Sequence, residues 1–304
     1  MSEITFLDRL HSEDVDTRRV ALTEIDENLD IVRIEELLPL LRDEDPAIRR
    51  LTLQVLEEIG DVAAIPSILE LTTDSDRDVA ETAKASLREF RTAYAIDPLI
   101  AGIAHKNPEA RAAAIHGLRD LRSAKAIPAL ETAADDASKT VRREALVALA
   151  HLQNPAVLPI LRRGLQDSES DVRRIAVGAV SFFSGTDADL LRITTDSDWQ
   201  VRREAAIALR RVPGKPTVNA LLALLSDSHW EVIKVAIASL GTLQAPVTAR
   251  ILPFISHEIA DIRIASATAL GESGEPEAEA ALKKLLADPD TGVSKAAARA
   301  LERL

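Results

Sequence analysis

Apolar residues recur along this chain in short bursts whose spacing is helical. The segment VRREALVAL (141–149) has apolar or small residues at its first, fifth, eighth and ninth places, and the same pattern returns in VRRIAVGAV (172–180), VRREAAIAL (201–209) and AIRRLTLQVL (47–56). At 100° per residue these places, with one a turn further on, fall within about 100° of a helix surface, which predicts one buried stripe. The ninth place is an aliphatic anchor: Ile25, Leu56, Leu87, Leu118, Leu149, Val180, Leu209, Leu240, Leu270 and Leu301. Successive anchors lie 31, 31, 31, 31, 31, 29, 31, 30 and 31 residues apart, a regularity that unrelated helices would not keep. The fifth place is alanine in eight of the ten units, as at Ala145 and Ala205, and a small residue there lets helices approach closely.

Each unit reads as two helices. A short helix A, often carrying proline, precedes the anchored helix B, as in AIPSILEL (64–71), AIPALETA (126–133) and AVLPILRRGL (156–165). Capping types stand three places before the stripe: Asp14, Asp45, Asp76, Asn107, Ser138, Asp198 and Asp290. The predicted architecture is all-α, an α-solenoid of ten two-helix repeats of about 31 residues. It runs as one domain over 1–304, with the first repeat starting at about Glu3. Interaxial distances of about 8–10 Å would make it a curved rod roughly 90 Å long. The seventh repeat departs: its spacing is 29, and SFFSGTDADLLRITTD (181–196) predicts a short helix A without proline, with Phe182 and Phe183 ending the preceding helix. Such a repeat would kink the stack or open a gap.

Two further columns recur together. Arginine follows the first stripe residue in seven units (Arg18, Arg49, Arg111, Arg142, Arg173, Arg202, Arg263). Aspartate stands two places before the cap in seven (Asp43, Asp74, Asp136, Asp167, Asp196, Asp227, Asp288). Their joint recurrence predicts a structural ladder of charge-assisted hydrogen bonds to the interhelical loops rather than a binding stripe.

The unit, with its VR-x-x-A-x-x-A-L core after D-x-D, resembles the HEAT repeat of the phycobilisome-lyase type over essentially the whole chain. The resemblance implies a HEAT (armadillo-type) solenoid whose B helices line the concave side. It also admits several functions: bilin-lyase subunits, which often work as heterodimers, deoxyhypusine hydroxylase, and many scaffolds. The hydroxylase resemblance implies iron held by His-Glu pairs in VRHE-type segments. This chain has Arg143-Glu144 and Arg203-Glu204 there, and its His257-Glu258 pair is expected in a loop, so that activity is disfavoured.

Composition narrows the rest. Without cysteine there is no disulfide, thiolate metal site or cysteine nucleophile. The six histidines are scattered with no metal spacing, which reads as polar loop or surface positions. No cofactor or metal is called for, and no phosphate loop or serine elbow stands out. No run suits a signal peptide or membrane span, so the expected location is the cytoplasm. The net charge of −12 resides in residues 1–90, with 23 acids against 10 bases, whereas 138–215 holds 9 acids and 13 bases. An acidic total argues against a nucleic-acid binder, and HEAT-like alkylation-repair glycosylases are the form such a binder would take. Trp199 and Trp230 share one place in consecutive repeats, expected in the interhelical loop.

The expected function is a protein-binding scaffold or adaptor, with a bilin-lyase-like chaperone or transferase subunit as the alternative. Opposite the buried stripe, Arg143, Arg174, Arg203 and Lys234 head four successive B helices. Val147, Gly178, Ile207 and Ala238 make an apolar strip one turn on, and Trp199 and Trp230 edge the same region. The partner-binding candidates are therefore Arg143, Val147, Arg174, Trp199, Arg203, Ile207, Trp230 and Lys234. They suit an acidic amphipathic helix or an extended peptide.

Overall fold

A computed structural model describes residues 5–25, 32–246 and 248–304; Glu3, the expected start of the first repeat, lies outside them. Among the described residues every regular element is helical. The structure divides into two compact halves, Met1–Ile160 and Leu161–Leu304.

The B helices of the N-terminal half are Val15–Thr23, Pro46–Ile59, Arg77–Ser86, Pro108–Arg119 and Lys139–His151. Those of the C-terminal half are Ser170–Val180, Trp199–Ala208, Trp230–Thr242, Ala260–Ser273 and Thr291–Leu301. Within each half, B helices pack on one another, as Val15–Thr23 on Pro46–Ile59 and Trp230–Thr242 on Ala260–Ser273, and on A helices, as Pro108–Arg119 on Ile96–Gly102. Nine of the ten anchors are buried, and Leu301 is partly exposed. The two non-alanine residues at the close-approach place, Thr52 and Ser266, are fully buried. Each returns its hydroxyl to a carbonyl one turn back, at Ile48 and Ile262, both 2.8 Å away, so no polar group is stranded.

The buried stripe is wider than its sequence pattern. The sixth place of the segment is also buried in eight repeats, among them Leu53, Leu146, Val177 and Ile237. Packing on both flanks extends the stripe to about 160° in those eight repeats.

Six of the seven capping residues accept a bond from a first-turn amide, as Asp198 does from Gln200 and Val201. Ser138 holds the cap position without capping, a correction to the sequence reading. The ladder is present. Arg49 holds both oxygens of Asp74 at 2.8 and 2.6 Å and donates to the carbonyls of Asp43 and Glu44. Arg18–Asp43, Arg111–Asp136, Arg173–Asp196, Arg202–Asp227 and Arg263–Asp288 repeat the motif. Each aspartate also accepts the amide two residues on, which fixes the loop that positions the next B helix. Where the arginine column reads Ala80 or Ile233, the following loop carries His105 or His257. Each of these rings accepts the same amide through Nδ1, at 3.1 Å.

Helix A of the seventh repeat, Asp187–Ile193, has seven residues, as in repeats three to six, so it is no shorter than theirs. The deletion falls in the connection, which lacks the 3-10 turn that leads into those earlier A helices. Phe182 and Phe183 follow the helix, which ends at Val180. Arg162 pins the connection, donating to the carbonyl of Gly185 and to Asp189, each at 2.7 Å. Gly185 sits at φ 76°, a conformation open to glycine.

Candidate functional site

The cap that starts each B helix also aims its first turn. In the C-terminal half, Asp198 caps Trp199–Ala208, which puts Trp199 and Gln200 at the helix start and Arg203 one turn on. Trp230 likewise opens its helix, four residues before Lys234. Both tryptophans are therefore first-turn residues, not loop residues as their place in the repeat suggested. The apolar stripe of each helix is committed to the core, so its third and seventh places face away from it.

Arg174, Trp199, Gln200, Arg203, Glu231 and Lys234 line a cleft of about 360 Å³. Lys234 is shared with a second cleft of about 320 Å³, walled by Arg210, Val235, Ala238, Asp261, Ile264 and Ala265. One groove thus has a basic, aromatic end and an apolar floor.

The charges at the two ends differ in how far they are neutralised. Lys234 Nζ is 2.8 Å from Asp261 and 4.9 Å from the ring centroid of Trp230, so its charge is already shared. Arg174 reaches Asp171 only at 4.0 Å, and its Nε is buried with no acceptor among the described residues. Arg203 has no hydrogen bond or ion pair among them. Trp199 stacks on His229, with centroids 5.4 Å apart and planes inclined by 10°, which holds the indole in place.

The structure brings Arg174, Trp199, Arg203 and Lys234 together and joins Trp230 through Lys234. Ile207 is half-buried one turn beyond Arg203 and lines neither cleft. Arg143 and Val147 belong to the N-terminal half. The Arg143 Nε is buried without an acceptor among the described residues, and the Val147 carbonyl accepts from His151 at 2.9 Å. The sequence reading missed Gln200, Glu231, Asp261, Val235, Ile264 and Ala265. The first three occupy the place just before the stripe, three residues ahead of the basic column, a helical spacing that could have marked them.

Among the described residues no group of three or more His, Asp or Glu side chains could hold a metal ion. None of their helices is long and apolar enough to cross a membrane. His257-Glu258 lies between helices, outside any B helix.

No curated protein matches the chain. Solved structures do. YibA of E. coli is 19% identical, with 96% of this chain and 99% of that one covered, at a TM-score of 0.55. Kap95p, whose binding induces the switch loops of RanGDP to adopt the GTP-bound conformation, is 13% identical at a TM-score of 0.66. A Kap121p mutant is 15% identical at 0.61. This chain is 98% and 97% covered in those two matches but spans only 48% and 40% of their lengths. At such identities the likeness is one of fold. The family profile described as HEAT repeats matches residues 5–88, 67–147, 96–181, 132–210, 186–253 and 248–304, and the chain belongs to the HEAT-repeat family.

Proposed function

We propose that this chain is a protein-binding scaffold that takes its partner on the B-helix surface of repeats six to nine. The observation that carries the reading is the pair of arginines, Arg174 and Arg203, left without a full carboxylate partner beside a fixed tryptophan and an apolar floor. In the ladder, the neighbouring Arg173 and Arg202 each hold their aspartate. Buried or half-buried donors without acceptors favour an anionic ligand, and the floor favours apolar side chains beside it. The relatives of known fold fit this reading, since HEAT solenoids such as Kap95p bind other proteins.

The unbroken spacing of 31 from Leu149 to Val180 supports reading all 304 residues as one domain. The VR-x-x-A-x-x-A-L core after D-x-D supports the phycobilisome-lyase type for the unit, and a bilin-handling role goes with it as the competing function. Capture of partners by the wild-type chain and by Arg174→Glu/Arg203→Glu separates the two. A stoichiometric protein lost on charge reversal supports the scaffold. A coloured eluate, or the same proteins retained by both chains, opposes it.

A further inference from the structure

The groove also constrains the conformation of what lies in it, given the reading just made. Arg174 and Arg203 occupy the same place on adjacent B helices, and Lys234 and the apolar floor follow on the next two. Adjacent helices pack about 8–10 Å apart. A ligand that answers each column must therefore present one side chain to the same side every 8–10 Å or so.

Three backbone forms can be compared. A β-strand returns a side chain to one face every two residues, about 6.7 Å, which falls short, or every four, about 13 Å, which overshoots. An α-helix needs seven residues to return a side chain to the same face, after about 10.5 Å, which exceeds the column spacing. A polyproline II chain has three residues per turn and a rise of about 3.1 Å, so every third side chain returns to the same face after about 9.3 Å. Its backbone makes no internal hydrogen bonds. Gln200, exposed at the cleft, carries both a donor and an acceptor that can serve it.

We infer that the ligand is an acidic peptide segment in polyproline II conformation with the pattern acid-x-x-acid-x-x-aliphatic. Its first two acids meet Arg174 and Arg203, and its aliphatic residue enters the chamber of Val235, Ala238 and Ile264. Lys234, already bonded to Asp261, sets no further demand for an acid at the third column.

The chain's two tryptophans, Trp199 and Trp230, both stand at this groove, so intrinsic fluorescence reads it directly. The test titrates the full chain with a synthetic peptide that has Asp, Asp and Leu at its first, fourth and seventh places, separated by Pro-Ser pairs. Controls carry the two acids four apart, carry them seven apart on a helix-forming peptide, or replace both by Asn. A single-stranded oligonucleotide completes the set. The expected result is a saturable emission change for the first peptide. Its affinity should fall about tenfold or more with each control and in Arg203→Glu, since each loses or misplaces a charge-assisted pair. Equal or tighter binding of a control peptide or of the oligonucleotide overturns the inferred pattern while leaving the groove as a site. No emission change with any probe, together with partner capture that Arg174→Glu/Arg203→Glu leaves intact, overturns the groove itself.

Discussion

Arg202 holds Asp227 by two parallel bonds, Nε to Oδ2 at 2.6 Å and Nη2 to Oδ1 at 2.8 Å, across 25 residues of sequence. The third nitrogen, Nη1, turns back to the carbonyls of Asp196 and Ser197 at 2.8 and 3.1 Å. One guanidinium thus closes its own helix start and fastens the loop of the next repeat. Geometry of this kind uses the planar fork of arginine, which lysine lacks.

Replacing Arg202 by alanine leaves Asp227 buried without its cation and two carbonyls without a donor. The expected cost is about 3–5 kcal/mol, measured by urea unfolding. Arg202→Lys should recover less than half of it. Full recovery by lysine would mean that charge alone, not the bidentate geometry, sustains the rung.

The ladder also sets a response to acid. The guanidinium bond of Arg263 holds the Asp288 carboxyl below its ordinary range. At Asp196 and Asp227 burial pushes upward, but the arginine bond and a backbone amide outweigh it, and both carboxyls are lowered. A folded-state pKa below the unfolded value of about 3.9 stabilises the fold above that pH, and the contribution is lost as pH falls through the folded value. The ladder's share of the melting temperature should therefore be level from about pH 7 to 5 and drop below about pH 4. Asp288→Asn should flatten part of the drop, and an unchanged acid limb in that variant would count against the ladder.

Two glycines separate close packing from helix propensity. A Cβ on Gly271 would meet the Cα of Ala300 at 2.7 Å and its carbonyl oxygen at 3.0 Å, backbone that cannot step aside. Gly271→Ala should destabilise by about 1–3 kcal/mol. At Gly178, in the last turn of Ser170–Val180, the nearest atom is the Glu204 carboxylate at 3.7 Å. Gly178→Ala should stabilise, by about 0.5 kcal/mol or less so near the helix end. Thermal denaturation of the two variants checks the opposite signs.

How much of this the sequence discloses depends on how many residues a feature needs. The anchors recur ten times, and Leu56, Leu149 and Leu240 are fully buried as their period demands. The Arg and Asp columns are legible because each rung repeats the same two residue types at one spacing. The sixth-place burial at Leu146 and Val177 escaped, because a single-face pattern does not count packing from both flanks. The same holds for the site. Arg174, Arg203 and Lys234 stand out as a column, but neutralisation of Lys234 by Asp261 joins residues 27 apart with no repeating partner. The stack of Trp199 on His229 likewise depends on where two helix starts meet in space, which the repeat alone does not give.

The central claim is that a protein partner lies over Arg174 and Arg203, and a photo-crosslinking residue placed at Gln200 tests it most directly. Gln200 is exposed and lines the cleft, whereas Glu302, exposed in the last repeat, serves as the remote control. On irradiation in lysate of the source organism, position 200 should yield one dominant protein adduct. That adduct should be missing at position 302 and lost when Arg174→Glu/Arg203→Glu is added. The same adducts from both positions, or an adduct at position 200 that survives the charge reversal, would contradict the account.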